Sequence, residues 1–293
     1  MGHSIFSPGQ VVQPVQFHQL SIAYTAFMPY VEKHAPGAFC WIELATSDQL
    51  AAKAFYTSLF DWKSTDSPMG PNEYYTMFML VDRDEGRNAA ACYALQMDQL
   101  RLGIPPHWNL YVSVASADAT TKRALECDGK VFCGPFDVAT HGRMSTLADP
   151  TGAVFSIWEP KDQPGIGVER QHASFCRADL STPDPTLAAQ FYKDVFGWQM
   201  RAGQENYLHI ANGTGSDDYI GGIPPASMRQ AHEPPHWQIY FQVDDCDAAT
   251  AKAKQLGASV FAGPMTIEHV GRMAFLADPQ GAVFSLFQPE PHE

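Results

Sequence analysis

Apolar and polar positions alternate along residues 38–45, where Cys40, Ile42 and Leu44 interleave with Phe39, Trp41 and Glu43. A period of two predicts a strand whose two faces meet different surroundings. Thr46-Ser47-Asp48 then supplies oxygens that can cap a helix start. Ala51, Phe55, Leu59 and Phe60 follow at helical spacing, so a helix running to Phe60 is predicted to lay one apolar stripe on a sheet. Further strands are predicted over 74–81 and 89–95, joined by the charged turn 82–88. Residues 109–114 read as the next strand, and 116–127 as a second helix with Gly129 as its C-cap. Strands over 144–148 and 153–158 flank Asp149-Pro150-Thr151-Gly152, in which proline presets φ, aspartate caps and glycine takes the awkward dihedral.

The pattern occurs twice. Residues 130–156 align without a gap on 259–285 at an offset of 129, matching Gly134-Pro135 to Gly263-Pro264, Gly142-Arg143-Met144 to Gly271-Arg272-Met273, and Ala148-Asp149-Pro150 to Ala277-Asp278-Pro279. Pro105-Pro106-His107-Trp108 falls on Pro234-Pro235-His236-Trp237 in the same register. Upstream, Phe39-Cys40, Thr46, Asp48, Phe55-Tyr56, Phe60 and Trp62 match Phe175-Cys176, Thr182, Asp184, Phe191-Tyr192, Phe196 and Trp198 at an offset of 136, so the first copy is longer by seven residues between these blocks. A repeat of this length makes two domains. The organisation expected is an N-terminal arm (1–35), a first domain (36–160), a linker (161–171) rich in proline and glycine, and a second domain (172–293). A short amphipathic piece over 20–30 is expected within the arm. Each copy reads strand, helix, strands, then the same again. The predicted fold is therefore α+β, with four βαβββ units in two tandem domains.

Composition narrows the partners. The 293 residues are 45% hydrophobic with a net charge of −13, a globular and acidic chain poorly matched to nucleic acid or an anionic membrane. No run of eighteen apolar residues occurs, and the first ten residues lack the basic and apolar regions of a signal peptide. The six cysteines form no CxxC pair, which suits small buried side chains in a reducing cytoplasm better than a disulfide framework.

The opening strand-TSD-helix-FYxxxFxW and the ADPxGAVFS hairpin resemble the vicinal oxygen chelate superfamily, which includes glyoxalase I, extradiol dioxygenases and bleomycin-resistance proteins. The resemblance covers both copies, nearly everything after residue 36, and is nearest to the tandem two-domain members. It implies that paired βαβββ units curve into a cup that holds the ligand, and a metal where there is one. In metal-using relatives four cup-facing positions supply histidine or glutamate. Carried onto this chain, three of them are Trp41, Asn109 and Ser156 in the first copy and Arg177, Gln238 and Ser285 in the second. The fourth lies within 91–95 and 219–223, windows that contain neither histidine nor carboxylate. Trp and Arg offer no lone pair or negative charge to a divalent cation, so no metal or other cofactor is expected.

Other residues carry chemistry beside these. His107 and His236 can act as a base or ligand at the rim of each cup, or open a strand through a bond to backbone. Glu43 and Asp179 lie two residues beyond Trp41 and Arg177 on the same strand face. A carboxyl desolvated there has a raised pKa. Arg177 can grip a carboxylate or phosphate two-pronged, or be neutralised by Asp179 in a buried pair. Trp41, Tyr111 and Trp158 in one cup, and Tyr240 and Phe287 in the other, form flat walls suited to aromatic ligands or simply fill the core. Arg143 and Arg272 read as structural, and His141 and His269 as surface residues. The leading expectation is a cytoplasmic, metal-free small-molecule-binding protein of the bleomycin-resistance type, monomer or homodimer. One alternative is a divalent-metal-dependent lyase, isomerase or dioxygenase using His107 or His236. Another is an oligomeric interaction module with filled cups.

Overall fold

The computed structural model describes residues 30–290 other than 72, 83–84, 216–217 and 231. Its first half runs β1 (Phe39–Thr46), α1 (Gln49–Phe60), β2 (Lys63–Gly70), β3 (Glu73–Asp82), β4 (Glu85–Ala94), α2 (Met97–Arg101), β5 (His107–Ser113), α3 (Ala117–Glu126), β6 (Lys130–Val138), β7 (Gly142–Ala148) and β8 (Val154–Pro160). The second half repeats it as β9 (Ser174–Ser181), α4 (Pro185–Phe196), β10 (Gln199–Ala202), β11 (Leu208–Ala211), β12 (Tyr219–Ile223), β13 (His236–Gln242), α5 (Cys246–Gln255), β14 (Ser259–Ile267), β15 (Gly271–Ala277) and β16 (Val283–Pro289). Each half is one eight-stranded sheet, ordered β2-β3-β4-β1-β5-β8-β7-β6 and β10-β11-β12-β9-β13-β16-β15-β14. Two βαβββ units thus meet at an antiparallel seam, β1 on β5 and β9 on β13. The α+β class and the four units are as the repeat predicts.

The helices start where their caps stand. Asp48 accepts from Ala51 N, Ser116 from Ala119 N, Asp184 from Leu187 N and Asp245 from Ala248 N. Arg143 and Arg272 each grip a first-turn aspartate two-pronged, Asp118 and Asp247, fixing α3 and α5 to a neighbouring strand. Their reading as structural residues holds. His141 and His269 are exposed.

The sheets pack back to back, with helices between them. Phe39 meets Phe175, Trp198 and Trp237, while Trp108 and Phe60 meet Phe241. Tyr56 on α1 donates to Asp278 of the far hairpin at 3.1 Å and accepts from its own Trp108 at 3.1 Å. The reciprocal device sets Trp237 on Tyr192 at 3.0 Å, with Asp149 beside that phenol. Trp62 and Trp198 donate across the divide to Ala173 O and Gly37 O, both at 2.8 Å. The segment between the halves is pinned down. Ile166 N donates to Cys40 O, Gly167 N to Asn88 O, and the buried His34 lies 2.9 Å from Ile166 O. Tyr30 bridges to Val168. The amphipathic piece expected over 20–30 falls outside the described residues except for Tyr30.

Three local expectations change. Strict alternation placed Phe39 on the face of Trp41, but a bulge at Cys40 turns Phe39 into the interface between halves. The strand β2, KSTDSPMG, is exposed throughout and shows no apolar alternation. Its pairing with β3 and the Lys53–Asp66–Thr76 contacts hold it instead. The short helix α2 carries no buried residue, so periodicity could not reveal it. All six cysteines are free, four of them buried. Among the described residues no helix is long and apolar enough to cross a membrane.

Candidate functional site

Register decides which side chains share a face, because directly paired residues point the same way. In the first sheet, Trp41 pairs with Tyr111, Glu43 with Asn109 and Ala91, Tyr111 with Ser156, and Ser156 with Thr146. Trp158, His107, Tyr75, Met77 and Tyr93 complete this outer face. In the second sheet Arg177 pairs with Tyr240, Asp179 with Gln238 and Gly222, His236 with Ser181, Tyr240 with Ser285, and Gln242 with Phe287. All fourteen residues singled out from the sequence therefore stand on the two faces turned away from the packed interior. Yet Trp41 is 7% exposed, Glu43 7%, Tyr111 5% and Trp158 8%. A flat outward face would leave them in water, so neighbouring strands must curve around them and make each outer face the floor of a cup.

The first cup is organised around one carboxyl group. Tyr111 donates to Glu43 Oε1 at 2.5 Å and Tyr75 to Oε2 at 2.7 Å, while Trp41 Nε1 donates to the Tyr75 oxygen at 2.9 Å. Burial raises the Glu43 pKa despite those hydrogen bonds, which favour the anion. Burial and the neighbouring carboxyl push both phenols well up as well. Nearby, Asn109 donates to Tyr93 at 3.2 Å, and Thr146 and Ser156 share a bond of 3.0 Å. Tyr75 and Tyr93 were not among the sequence candidates. They face each other across β3 and β4, and alternation carried through both strands would have placed them there.

The second cup holds an ion pair where the first holds a phenol-capped acid. Arg177 Nη2 lies 2.7 Å from Asp179 Oδ1, and Tyr207 donates to the same oxygen at 2.9 Å. Tyr207 also accepts a short bond from the guanidinium. Burial alone would lower the arginine pKa, but Asp179 and the surrounding phenols carry it upward. Gln238 donates to Ser285 at 3.0 Å. Tyr207 has room because Gly222, the strand partner of His209 and Asp179, lies against it, where a Cβ would meet the phenol. No apolar alternation marks Tyr207, which lies in a loop, so the sequence carried no signal for it.

His107 and His236 occupy equivalent rim positions. The Nδ1 of each lies against a proline carbonyl two residues earlier, Pro105 at 2.7 Å and Pro234 at 3.0 Å. That geometry opens a strand. The paired Trp108 and Trp237 point to the packed side and hold the helix tyrosines.

The positions that would hold a metal do not suit one. They are Trp41, Ala91 or Tyr93, Asn109 and Ser156 in one cup, and Arg177, Gly222, Gln238 and Ser285 in the other. Among the described residues each cup has a single carboxylate on its floor, Glu43 in the first and Asp179 in the second. Glu43 is occupied by two phenols and Asp179 by a guanidinium. Among the described residues no three His, Cys, Asp or Glu side chains gather as a ligand set. The donors present do not fit a resident divalent cation.

Fold, duplication and cup geometry define a class. Residues 38–157 match the glyoxalase/bleomycin resistance protein/dioxygenase superfamily, residues 177–287 match the glyoxalase-like domain, and the chain belongs to this superfamily. It is 38% identical over 272 residues to the Mycobacterium tuberculosis protein named "Putative glyoxylase CFP32", covering 91% of this chain and all of that protein. It is 32% identical to "Anthracycline biosynthesis protein DnrV" of Streptomyces peucetius, covering 87% of this chain and 94% of that one. Among solved structures, the Mn(II)-bound glyoxalase from Novosphingobium aromaticivorans superposes with a TM-score of 0.60 at 16% identity, covering 86% of this chain and 82% of that one. The 2,3-dioxygenase LapB from Pseudomonas sp. KL28 superposes at 0.59 and 12% identity, covering 91% and 95%. At such identities the likeness is one of fold.

Proposed function

We propose that the protein binds an uncharged aromatic or polycyclic small molecule in its first cup, without a metal ion. One observation carries this reading: Trp41, Tyr75 and Tyr111 ring a buried carboxyl whose hydrogen-bond donors are the two phenols. Flat rings stack on such walls, and the phenol–carboxyl cluster supplies donors and acceptors for hydroxyl or keto edges. The donor set argued above supports the metal-free part. A relative named for anthracycline biosynthesis supports a polycyclic ligand.

Quenching of tryptophan fluorescence by a panel of neutral polycyclic quinones tests the reading. Saturable binding is expected, weakened about tenfold or more in Trp41→Ala with the fold intact by circular dichroism. An unfolded variant would make Trp41 a core residue. Stoichiometric Zn, Mn, Fe or Ni resistant to dialysis would overturn the metal-free assignment.

A further inference from the structure

The second cup contains a donor with nothing to donate to. Arg177 Nε is buried and has no hydrogen-bond partner, although the guanidinium beyond it is engaged by Asp179 and Tyr207 through Nη2. A buried N–H without an acceptor is destabilising, and a charged one more so. Asp179 does not serve it: its Oδ1 receives Nη2 and Tyr207, and Nε makes no bond to either carboxylate oxygen. The surroundings are aromatic. The guanidinium lies 5.6 Å from the ring centre of Tyr240 and 5.9 Å from that of Tyr207. Phe275 packs on Tyr240, and His209 packs on Tyr207. Burial and the nearby Arg177 lower the pKa of His209. The Arg177 side chain is nonetheless 23% exposed, so the cup mouth reaches it.

We propose that this cup is a second, separate ligand site, built for a planar aromatic ring bearing a carboxylate. The carboxylate supplies the missing acceptor to Arg177, and the ring lies between the Tyr207 and Tyr240 walls. Asp179 holds the guanidinium in place and offsets its charge while the site is empty. At the matching position of the first cup, Trp41 has its single donor satisfied by Tyr75, and no acceptor is missing there. The two cups of one chain thus select different ligands. This assignment does not depend on the first-cup reading.

Calorimetric titration with naphthoate tests it, with naphthamide as the neutral control of equal shape. Naphthoate is expected to bind at one equivalent and naphthamide about tenfold or more weakly. The double variant Arg177→Met/Asp179→Asn removes the guanidinium without leaving a lone buried charge, and should lose naphthoate while unfolding cooperatively. Arg177→Lys keeps the charge but not the fork, and should bind weakly. Naphthoate should still bind Trp41→Ala, which separates this result from failure in the first cup. Equal binding of acid and amide, no binding at millimolar naphthoate, or unchanged affinity in the folded double variant would each overturn the proposal.

Discussion

Glu43 is the residue on which the first cup's chemistry turns, and its environment has a pH signature. Burial raises its folded-state pKa above the unfolded value of about 4.3. The folded protein therefore holds a proton that the unfolded chain releases. The stabilisation linked to that proton is full below the unfolded pKa and is lost as pH rises through the folded one. Glu43→Gln, which cannot ionise, should melt several degrees above the parent at pH 8 and close to it at pH 4. An equal difference at both pH values would mean that the carboxyl is not desolvated. Gly222 makes the matching case in the second cup. Its side of the strand is filled by Tyr207, so Gly222→Ala should displace that phenol from Asp179. Naphthoate affinity should fall while the melting temperature changes little, and unchanged affinity would remove Tyr207 from the wall. Of these residues, Trp41, Glu43, Arg177 and Asp179 were legible because the repeat aligned them and alternation put them on one face. Whether Arg177 was a clamp or a neutralised ion was open in the sequence. Pairing to Asp179 two residues away is visible there, but an unpartnered Nε is a fact of three dimensions.

Among the elements, the hairpins Asp149–Gly152 and Asp278–Gly281 are each held by one aspartate carboxylate. Asp149 Oδ1 accepts from the backbones of Thr151, Gly152 and Ala153 and from the Thr151 hydroxyl. Asp278 accepts from Gln280 and Ala282 and from Tyr56 of the other half. Asp149→Ala leaves several donors unpaired at once and should cost about 2–4 kcal/mol in urea unfolding. A loss near zero would mean that the turn holds its shape without the carboxylate. The hairpins were readable because turn chemistry is local. The strands β2 and β6 were not assigned, for a different reason in each case. The first is polar along its whole length. The second, with Phe132 and Phe136 exposed, presents apolar residues to water where alternation would hide them. Edge strands are held by backbone pairing with one neighbour, and pairing leaves no mark in composition.

At the scale of the molecule, the aromatic seam joins the halves more tightly than domains on a linker usually are. Phe39, Trp62, Tyr56, Trp198, Phe241 and Phe284 are all nearly fully buried, and all contact or bond to the opposite half. Calorimetry should therefore show one transition, with the calorimetric and van't Hoff enthalpies equal. The isolated segment 36–160 should be insoluble or molten, since its seam would face water. Two resolved transitions, or a well-folded isolated half, would show that the seam is dispensable. The repeat announced two domains, and the seven-residue difference between copies lay in plain view. That the copies would bury their tryptophans against each other was hidden, because an interface helix and a core helix carry the same stripe.

Back-to-back packing also bears on how such a chain can change over time. In an assembly of identical subunits, every substitution is written into all the cups together, and a residue good for one ligand is imposed on each. Here both cups are encoded in one reading frame, at separate codons, and they open in opposite directions. A mutation in one need not be tolerated by the other. Trp41 and Arg177 record that independence: at one repeated position the two halves carry side chains of different charge and shape.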